Sequence, residues 1–208
     1  MNVVLYGATG KAGSRILTEL TNRGHKVTAI ARHTAKLPAG VLAKQDDLAS
    51  VNRIAANIAG ADALVSAYAP PADNTDQLVG VTERLIEAVR KAGGDIRLIV
   101  VGGAASLDVA PGVTLLASGN LPPAYLDIAT SHERALRMLQ ASDINWTYFS
   151  PAAFFEPGER TGKFRLGKDR LISGENGESR ISMEDYAIAL VDELEKPAHQ
   201  RARFTIGY

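Results

Sequence analysis

The chain of 208 residues predicts an α/β fold: a doubly wound parallel sheet with helices on both faces and a small C-terminal elaboration. Three observations carry that expectation. Short apolar runs alternate with amphipathic helical stretches through the first 150 residues, which implies βαβ crossovers. The strongest run, Leu98-Ile-Val-Val101, is apolar without alternation, as a strand buried on both faces must be. The first run passes straight into a glycine-rich turn that opens a helix.

The elements follow in order. Residues 3–6 are a run of β-formers and read as the first strand. Residues 11–23 carry Ile16, Leu17 and Leu20 at helical spacing, and Gly24 stops them. Residues 27–31 and, more weakly, 41–44 read as strands two and three. Residues 51–58 are helical and end at Gly60, and residues 63–66 are strand four. Leu78, Val81, Leu85, Ile86 and Val89 trace a helical stripe that ends at Gly93-Gly94. Residues 96–101 are strand five, 124–140 a helix and 146–149 another strand. After Pro151 the pattern changes. Residues 154–180 are rich in glycine and charge, with strand-like pieces near Phe164 and Leu171. A helix over 183–194 and a strand over 203–206 close the chain. No repeat, linker or low-complexity tract intervenes. Residues 1–208 therefore read as one domain, with 151–208 supplying the substrate side.

Composition narrows the function. Lys+Arg and Asp+Glu are 23 each, so the formal net charge is zero. That balance argues against a nucleic-acid partner and against an anionic membrane surface. Cysteine is absent, which excludes disulfides, thiolate nucleophiles and Cys-ligated metals. His25, His33, His132 and His199 are too scattered to predict a metal site. No apolar run approaches the ~20 residues of a membrane span. The N-terminus enters Asn2-Val-Val-Leu-Tyr6 with no visible signal peptide. The expectation is a cytoplasmic protein, monomer or homodimer, with a small-molecule partner.

The turn comprises Gly7, Ala8, Thr9, Gly10, Lys11, Ala12 and Gly13. Strand, glycine turn, helix is the context of a dinucleotide fingerprint. Its glycines permit unusual dihedrals, let backbone amides approach a pyrophosphate and let helix and strand pack closely. The helix N-terminus then offers free N–H groups and a positive dipole. The spacing is G-x-x-G-x-x-G, not G-x-G-x-x-G. An NAD site usually places an acid after strand two for the ribose 2′-OH. Here no Asp or Glu occurs between Glu19 and Asp46, whereas residues 20–45 hold five Lys/Arg. Arg32 and His33 stand where that acid would be. A guanidinium there suits the 2′-phosphate, so NADP(H) is expected over NAD(H). Asp47 and Leu48 follow strand three and are candidates for the adenine; Asp47 reads equally well as the N-cap of the 51–58 helix. Ala67, Tyr68 and Ala69 follow strand four, and Gly102 and Gly103 follow strand five, at the carboxyl ends where open α/β sheets bind ligands.

Ketone-reducing short-chain dehydrogenases use Tyr-x-x-x-Lys as proton donor and tuner. Four residues after Tyr6, Tyr68, Tyr125, Tyr148 and Tyr186 stand Gly10, Ala72, Ala129, Ala152 and Leu190. The pair is absent, which disfavours ketone reduction and sugar epimerisation. A flavin or quinone can instead accept hydride and draw its proton from solvent.

Several segments together resemble the atypical short-chain dehydrogenases of the NmrA-like group, in its flavin-reductase and biliverdin-reductase-B-like branch. They are Tyr6-Gly-Ala-Thr-Gly10, Val100-Val-Gly-Gly-Ala-Ala-Ser106, Ser142-Asp-Ile-Asn-Trp-Thr147, Ser150-Pro-Ala152, Pro157-Gly158, Arg160-Thr-Gly162 and Arg180-Ile-Ser-Met-Glu-Asp-Tyr-Ala187. The resemblance implies a Rossmann-like core, NADP(H), and a flavin or similar acceptor as diffusible substrate. It also admits a non-catalytic NADP(H)-sensing regulator. It points to Ser106 beside the nicotinamide and to His132 on the helix before the Trp146 strand. Tyr125, Ile128, Ala129, His132, Leu136 and Leu139 share one helical face, so Tyr125 and His132 are expected to face the sheet. Ser106, His132 and Tyr125 are the candidate catalytic residues. Pro151, Ala152 and Phe155 are expected to flank the nicotinamide, with Phe154 or Phe155 stacking on the acceptor or packing in the core. Ala153 stands where biliverdin-reducing relatives often carry a histidine, which points to flavin or quinone.

Overall fold

Each apolar run is short enough to pleat, and the pleat divides it between two cores. The computed structural model describes all 208 residues. In β1 (Asn2–Tyr6), Val3 and Leu5 pack on one side with Ile16, Leu17 and Leu20 of α1 (Lys11–Asn22). Leu190 and Leu194 of α5 (Met183–Glu195) complete that layer. Val4 and Tyr6 face the other side, with Ile54 and Ile58 of α2 (Val51–Ile58) and Leu85 of α3 (Gln77–Ala92). Leu136 and Leu139 of α4 (Leu126–Gln140) extend the second layer.

The remaining strands of the main sheet are β2 (Lys26–Ala31), β3 (Leu42–Gln45), β4 (Ala63–Ser66), β5 (Arg97–Val101), β8 (Trp146–Ser150), β10 (Arg165–Gly167) and β12 (Ala202–Gly207). Their order is β10-β12-β8-β5-β4-β1-β2-β3. Only β10 runs antiparallel to its neighbour. The chain builds outward from β1 to β3, then restarts on the opposite side of β1 with β4. That reversal puts a topological switch point at the carboxyl ends of β1 and β4. The C-terminal stretch does more than elaborate the edge, since β12 and β10 extend the sheet and α5 covers α1. A hairpin of β6 (Asp108–Ala110) and β7 (Val113–Thr114) and a parallel pair of β9 (Phe154–Glu156) and β11 (Arg180–Ser182) lie outside it. Leu171 is not in a strand; its neighbour Arg170 makes a single bridge to Asp108.

A buried ion pair ties three elements together under the first layer. Arg97 and Glu193 are 5% and 4% exposed. Arg97 of β5 donates to the Glu193 carboxylate and carbonyl of α5 and to Thr147 Oγ1 of β8. Glu193 also accepts from the Ala198 and His199 amides and the His199 ring. Burial pushes the Glu193 pKa up, but the Arg97 and His199 hydrogen bonds outweigh it and hold the carboxyl below its usual range. Arg97→Leu is expected to cost about 3–5 kcal/mol, because a sealed carboxylate loses its counterion. A group with a lowered folded-state pKa stabilises above its unfolded value and loses that contribution as pH falls through the folded one. The gap between wild type and variant should therefore narrow on acidification. Urea unfolding at neutral and acid pH measures it; a loss under about 1 kcal/mol at pH 7 would refute the assignment.

Candidate functional site

Gly7 follows β1 at φ +78, a conformation that favours glycine. A Cβ there would lie 2.4 Å from the Ala67 carbonyl oxygen, so β1 and β4 approach too closely for a side chain. The Gly10 amide donates to the Gly7 carbonyl at 2.9 Å and closes the turn. Gly10 is the N-cap of α1 and supplies no side-chain acceptor, and the first turn holds no acid. The first intrahelical bond runs from Ser14 to Gly10, which leaves the Lys11, Ala12 and Gly13 amides open. By contrast α2 and α5 are capped by Ser50 and Ser182. The α1 start thus offers three amides and a positive dipole to an anion. Thr9, Gly10 and Lys11 are exposed beside it, whereas Ala8 is buried.

Tyr6, Gly7, Thr9 and Gly10 form one wall of a cleft of about 140 Å³ at the switch point, next to the start of α1. The other walls are Ile30 to Arg32 of β2 and its exit, Asp46 to Leu48 after β3, and Ala67 to Ala69 after β4. A larger concavity of about 580 Å³ opens at the opposite, amino edge, beside Asn2, His25 and Gly60. Open α/β sheets bind ligands at the carboxyl edge, so the smaller cleft is the candidate site.

Arg32 lines the cleft, is exposed, and makes no hydrogen bond or ion pair. Its charge is felt at Tyr68, whose phenol is pushed up by burial and pulled back by Arg32 and Arg84. His33 is exposed at the entry to a 3-10 turn that carries Lys36. The five cations of residues 20–45 do not all converge here. Arg23 is bound by Glu19, Asp192 and Glu195, Lys26 opens β2 at the far edge, and Lys44 lies in β3.

The turn after β3 is built around Asp46, which the sequence reading passed over in favour of its neighbour. Asp46 is 4% exposed. One oxygen accepts from the Asp47 and Leu48 amides at 2.7 and 3.1 Å. The other accepts from Tyr6 Oη and Asn57 Nδ2, both at 2.9 Å. The arrangement holds Leu48 at φ +62, an uncommon conformation for a branched side chain. Arg84 Nε adds a bond to the Leu48 carbonyl at 2.6 Å. Burial pushes the Tyr6 phenol well above its ordinary range. Asp47 is exposed; its carboxylate accepts from the Ala49 amide, which lowers its pKa, and pairs with Arg53. It is not the cap of α2, a place Ser50 takes.

The carboxyl end of β5 is shaped by glycine. A Cβ on Gly102 would lie 2.3 Å from the Tyr148 ring, and one on Gly103 would lie 3.0 Å from the His132 ring. The Gly103 amide donates to Tyr148 Oη at 3.0 Å, and His132 Nδ1 lies 3.0 Å from the same oxygen. Burial pulls the His132 pKa down to about 4 and pushes that of Tyr148 up. His132 thus faces the sheet as expected. Tyr125 does not. It sits in a 3-10 turn before α4 and is 59% exposed, because the tighter turn breaks the angular phase extrapolated from the helix. Ser106 lies beyond β5, but its hydroxyl and carbonyl both accept from Arg203, itself paired with Asp169. That hydroxyl anchors a loop to β12. Pro151 and Ala152 are buried after β8, and Ala152 packs in the same core as Ala8. Phe155 turns inward by strand alternation and packs on Tyr186 at 4.7 Å, instead of flanking the cleft. Phe154 points outward under Arg180. No group of His, Asp or Glu with metal-binding geometry occurs.

Comparison with known proteins agrees with this geometry. The model of a family described as NAD(P)H-binding matches residues 7–197. Three solved structures with provisional names are similar over whole chains. A Burkholderia pseudomallei protein named as exported is 46% identical, with TM-score 0.91 and 100% of both chains covered. A Bacteroides thetaiotaomicron protein named as an epimerase is 44% identical, with TM-score 0.92, covering 100% of this chain and 96% of that one. A Streptococcus pneumoniae protein named as an NADH-flavin reductase is 33% identical, with TM-score 0.88, covering 100% and 99%.

Proposed function

The chain belongs to the NAD(P)H-binding family, and from that membership we propose that it is a cytoplasmic NADPH-dependent reductase of a freely diffusing flavin, quinone or similar acceptor. The observation that carries the reading is the pairing of two ends of one carboxyl edge. At one end, the uncapped start of α1 and the unpaired Arg32 fit a dinucleotide with a 2′-phosphate. At the other, the groups beside the β5 exit carry no exposed acid: Gly102, Gly103, a neutral His132 and a sealed Tyr148.

A bound nicotinamide supplies hydride, and the acceptor takes its accompanying proton from water. The residues of this chain do the holding. The Lys11, Ala12 and Gly13 amides bind the pyrophosphate, and Lys11 adds charge at the helix start. Leu48 covers the adenine, held in place by Asp46. The small Ala67, Ala69, Gly102 and Gly103 let the ribose and ring approach the backbone. Binding two planar partners side by side converts a bimolecular encounter into an oriented one. An epimerase, the name borne by the Bacteroides relative, needs a paired general acid and base, and the sequence carries no Tyr-x-x-x-Lys to supply one.

The test is NADPH oxidation, followed by absorbance, with riboflavin, FMN and quinones, alongside a direct measurement of NADPH binding. Turnover with one of these acceptors is expected. Tight NADPH binding with none turned over would overturn the reductase reading and leave a nucleotide sensor.

A further inference from the structure

Three groups outside the nucleotide cleft meet at one buried oxygen. Tyr148 Oη accepts from the Gly103 amide at 3.0 Å, lies 3.0 Å from His132 Nδ1, and is 3.3 Å from the His132 carbonyl. Tyr148 is 0% exposed, so the phenol reaches no ligand itself. A phenol has one proton to give, and a backbone amide can only donate to it. The phenol proton goes either to the His132 ring nitrogen at 3.0 Å or to the His132 carbonyl at 3.3 Å, and the ring nitrogen is the nearer acceptor. The His132 carbonyl, inside α4, also serves the helix.

An Nδ1 that accepts leaves the ring proton on Nε2. His132 Nε2 has no partner in the protein, yet it is not one of the three sealed unpartnered atoms, Asn145 Oδ1, Ser150 Oγ and Thr205 Oγ1. It is therefore not fully sealed. The ring lies against Gly103, with Cδ2, the neighbour of Nε2, 3.2 Å from where a Gly103 Cβ would be. The edge of the ring that carries Nε2 thus lies next to Gly103, just past β5.

We infer that Tyr148 is the positioning residue of the acceptor side: it holds His132 in the Nε2–H tautomer, so that the imidazole offers one fixed hydrogen-bond donor to a carbonyl of the electron acceptor, and it pins the Gly103 amide beside it. The inference rests on the reading above that an acceptor is reduced at this edge. The donor is a neutral imidazole, consistent with the burial that pulls its pKa down to about 4. Flavins and quinones both carry ring carbonyls on which negative charge grows as they are reduced, and an aimed donor strengthens as that charge develops. The substrate class this site favours is therefore a planar acceptor with a carbonyl next to its reducible centre.

The experiment combines imidazole ¹⁵N NMR with kinetics on the full-length wild type, Tyr148→Phe, His132→Gln and the double variant. His132→Gln assigns the His132 signals among the four histidines. The wild type is expected to show the Nε2–H pattern, and Tyr148→Phe to lose that preference. With riboflavin or a quinone, kcat should fall about 10- to 100-fold in either single variant, with KM for NADPH within about twofold. The double variant should be no worse than His132→Gln, because the phenol acts only through the ring. An Nδ1–H pattern in the wild type, or an unchanged kcat in Tyr148→Phe, would overturn the inference. If the wild type binds NADPH and reduces no acceptor, the reductase reading fails and the donor has no carbonyl to serve, whereas a reductase with the Nδ1–H tautomer fails only the inference. Should Tyr148→Phe not fold, the wild-type tautomer and the kcat of His132→Gln still decide it.

Discussion

Gly13→Ala is expected to raise the NADPH dissociation constant about 100-fold, equivalent to about 2.7 kcal/mol of binding, and to lower stability at the same time. The cause is a backbone collision. A Cβ on Gly13 would stand 2.0 Å from the Gly7 carbonyl oxygen and 2.8 Å from its carbon. No flexible side chain can move aside, so α1 must shift away from the turn. Gly7 cannot follow, since it already sits at φ +78 with the Ala67 carbonyl against it. Overpacking of this kind costs about 1–3 kcal/mol, or roughly 2–12 °C in a chain of this size. The binding loss comes from geometry, because the three open amides and the axis of α1 no longer converge on one point. Gly10→Ala is the control. Its Cβ would lie 3.2 Å from the same oxygen, and its φ of −76 suits alanine. It should unfold close to wild type. Fluorescence titration with NADPH and a thermal melt measure both effects; a Gly13→Ala protein that binds within about threefold of wild type would refute the cradle.

The contrast between those two glycines also shows what was legible in the chain before its structure. The turn could be read because its chemistry is local: strand, glycines and helix are contiguous. The central strands could be read because burial on both faces leaves no polar residue to interrupt Leu98-Ile-Val-Val101. Strands of two or three residues carry no period, so β6, β7 and β9 had no signature. Asp46 and Asp47 are adjacent acids, and choosing between them needs the strand's facing; β3 is exposed along its whole length and gives no alternation to read. Tyr148 lies 16 residues from His132 and 45 from Gly103, so their shared hydrogen bonds exist only in the folded sheet. Ser106 was legible as a serine after β5, but not as the acceptor of Arg203, 97 residues on.

The two halves of the carboxyl edge are built on different principles. The half proposed to bind the nucleotide is stiff. Tyr6, Asp46 and Asn57 lock the turn that carries Leu48, and backbone contacts lock Gly7 and Gly13. The half beside β5, where we propose that the acceptor binds, carries no exposed acid, and burial pulls the His132 pKa there down to about 4. Stiffness suits a constant ligand, and neutrality suits a planar one whose charge changes during reaction.

On the proposed reading, cofactor choice falls to Arg32, the one cation lining the cleft, and Arg32→Ala is expected to shift it. The variant should raise KM for NADPH about 10- to 100-fold and leave that for NADH within about twofold. A charge-assisted pair with a phosphate is worth about 1.5–3 kcal/mol, and each 1.4 kcal/mol is tenfold. NADH has no 2′-phosphate to lose contact with. The exposure of Arg32 puts the effect at the lower end, and added salt should shrink it further in the wild type alone. Arg32 holds no partner in the protein, so its removal should leave the melting temperature unchanged, which separates a binding role from a structural one. Arg32→Asp should go further and favour NADH, since a carboxylate repels the phosphate and accepts from the ribose 2′-OH. Lys36→Ala should do less, because that lysine sits in the following 3-10 turn, outside the cleft lining. Steady-state KM values for both cofactors decide the matter: an equal rise for NADPH and NADH would mean that Arg32 orders the turn without reading the phosphate, and the NADPH preference would fall with it.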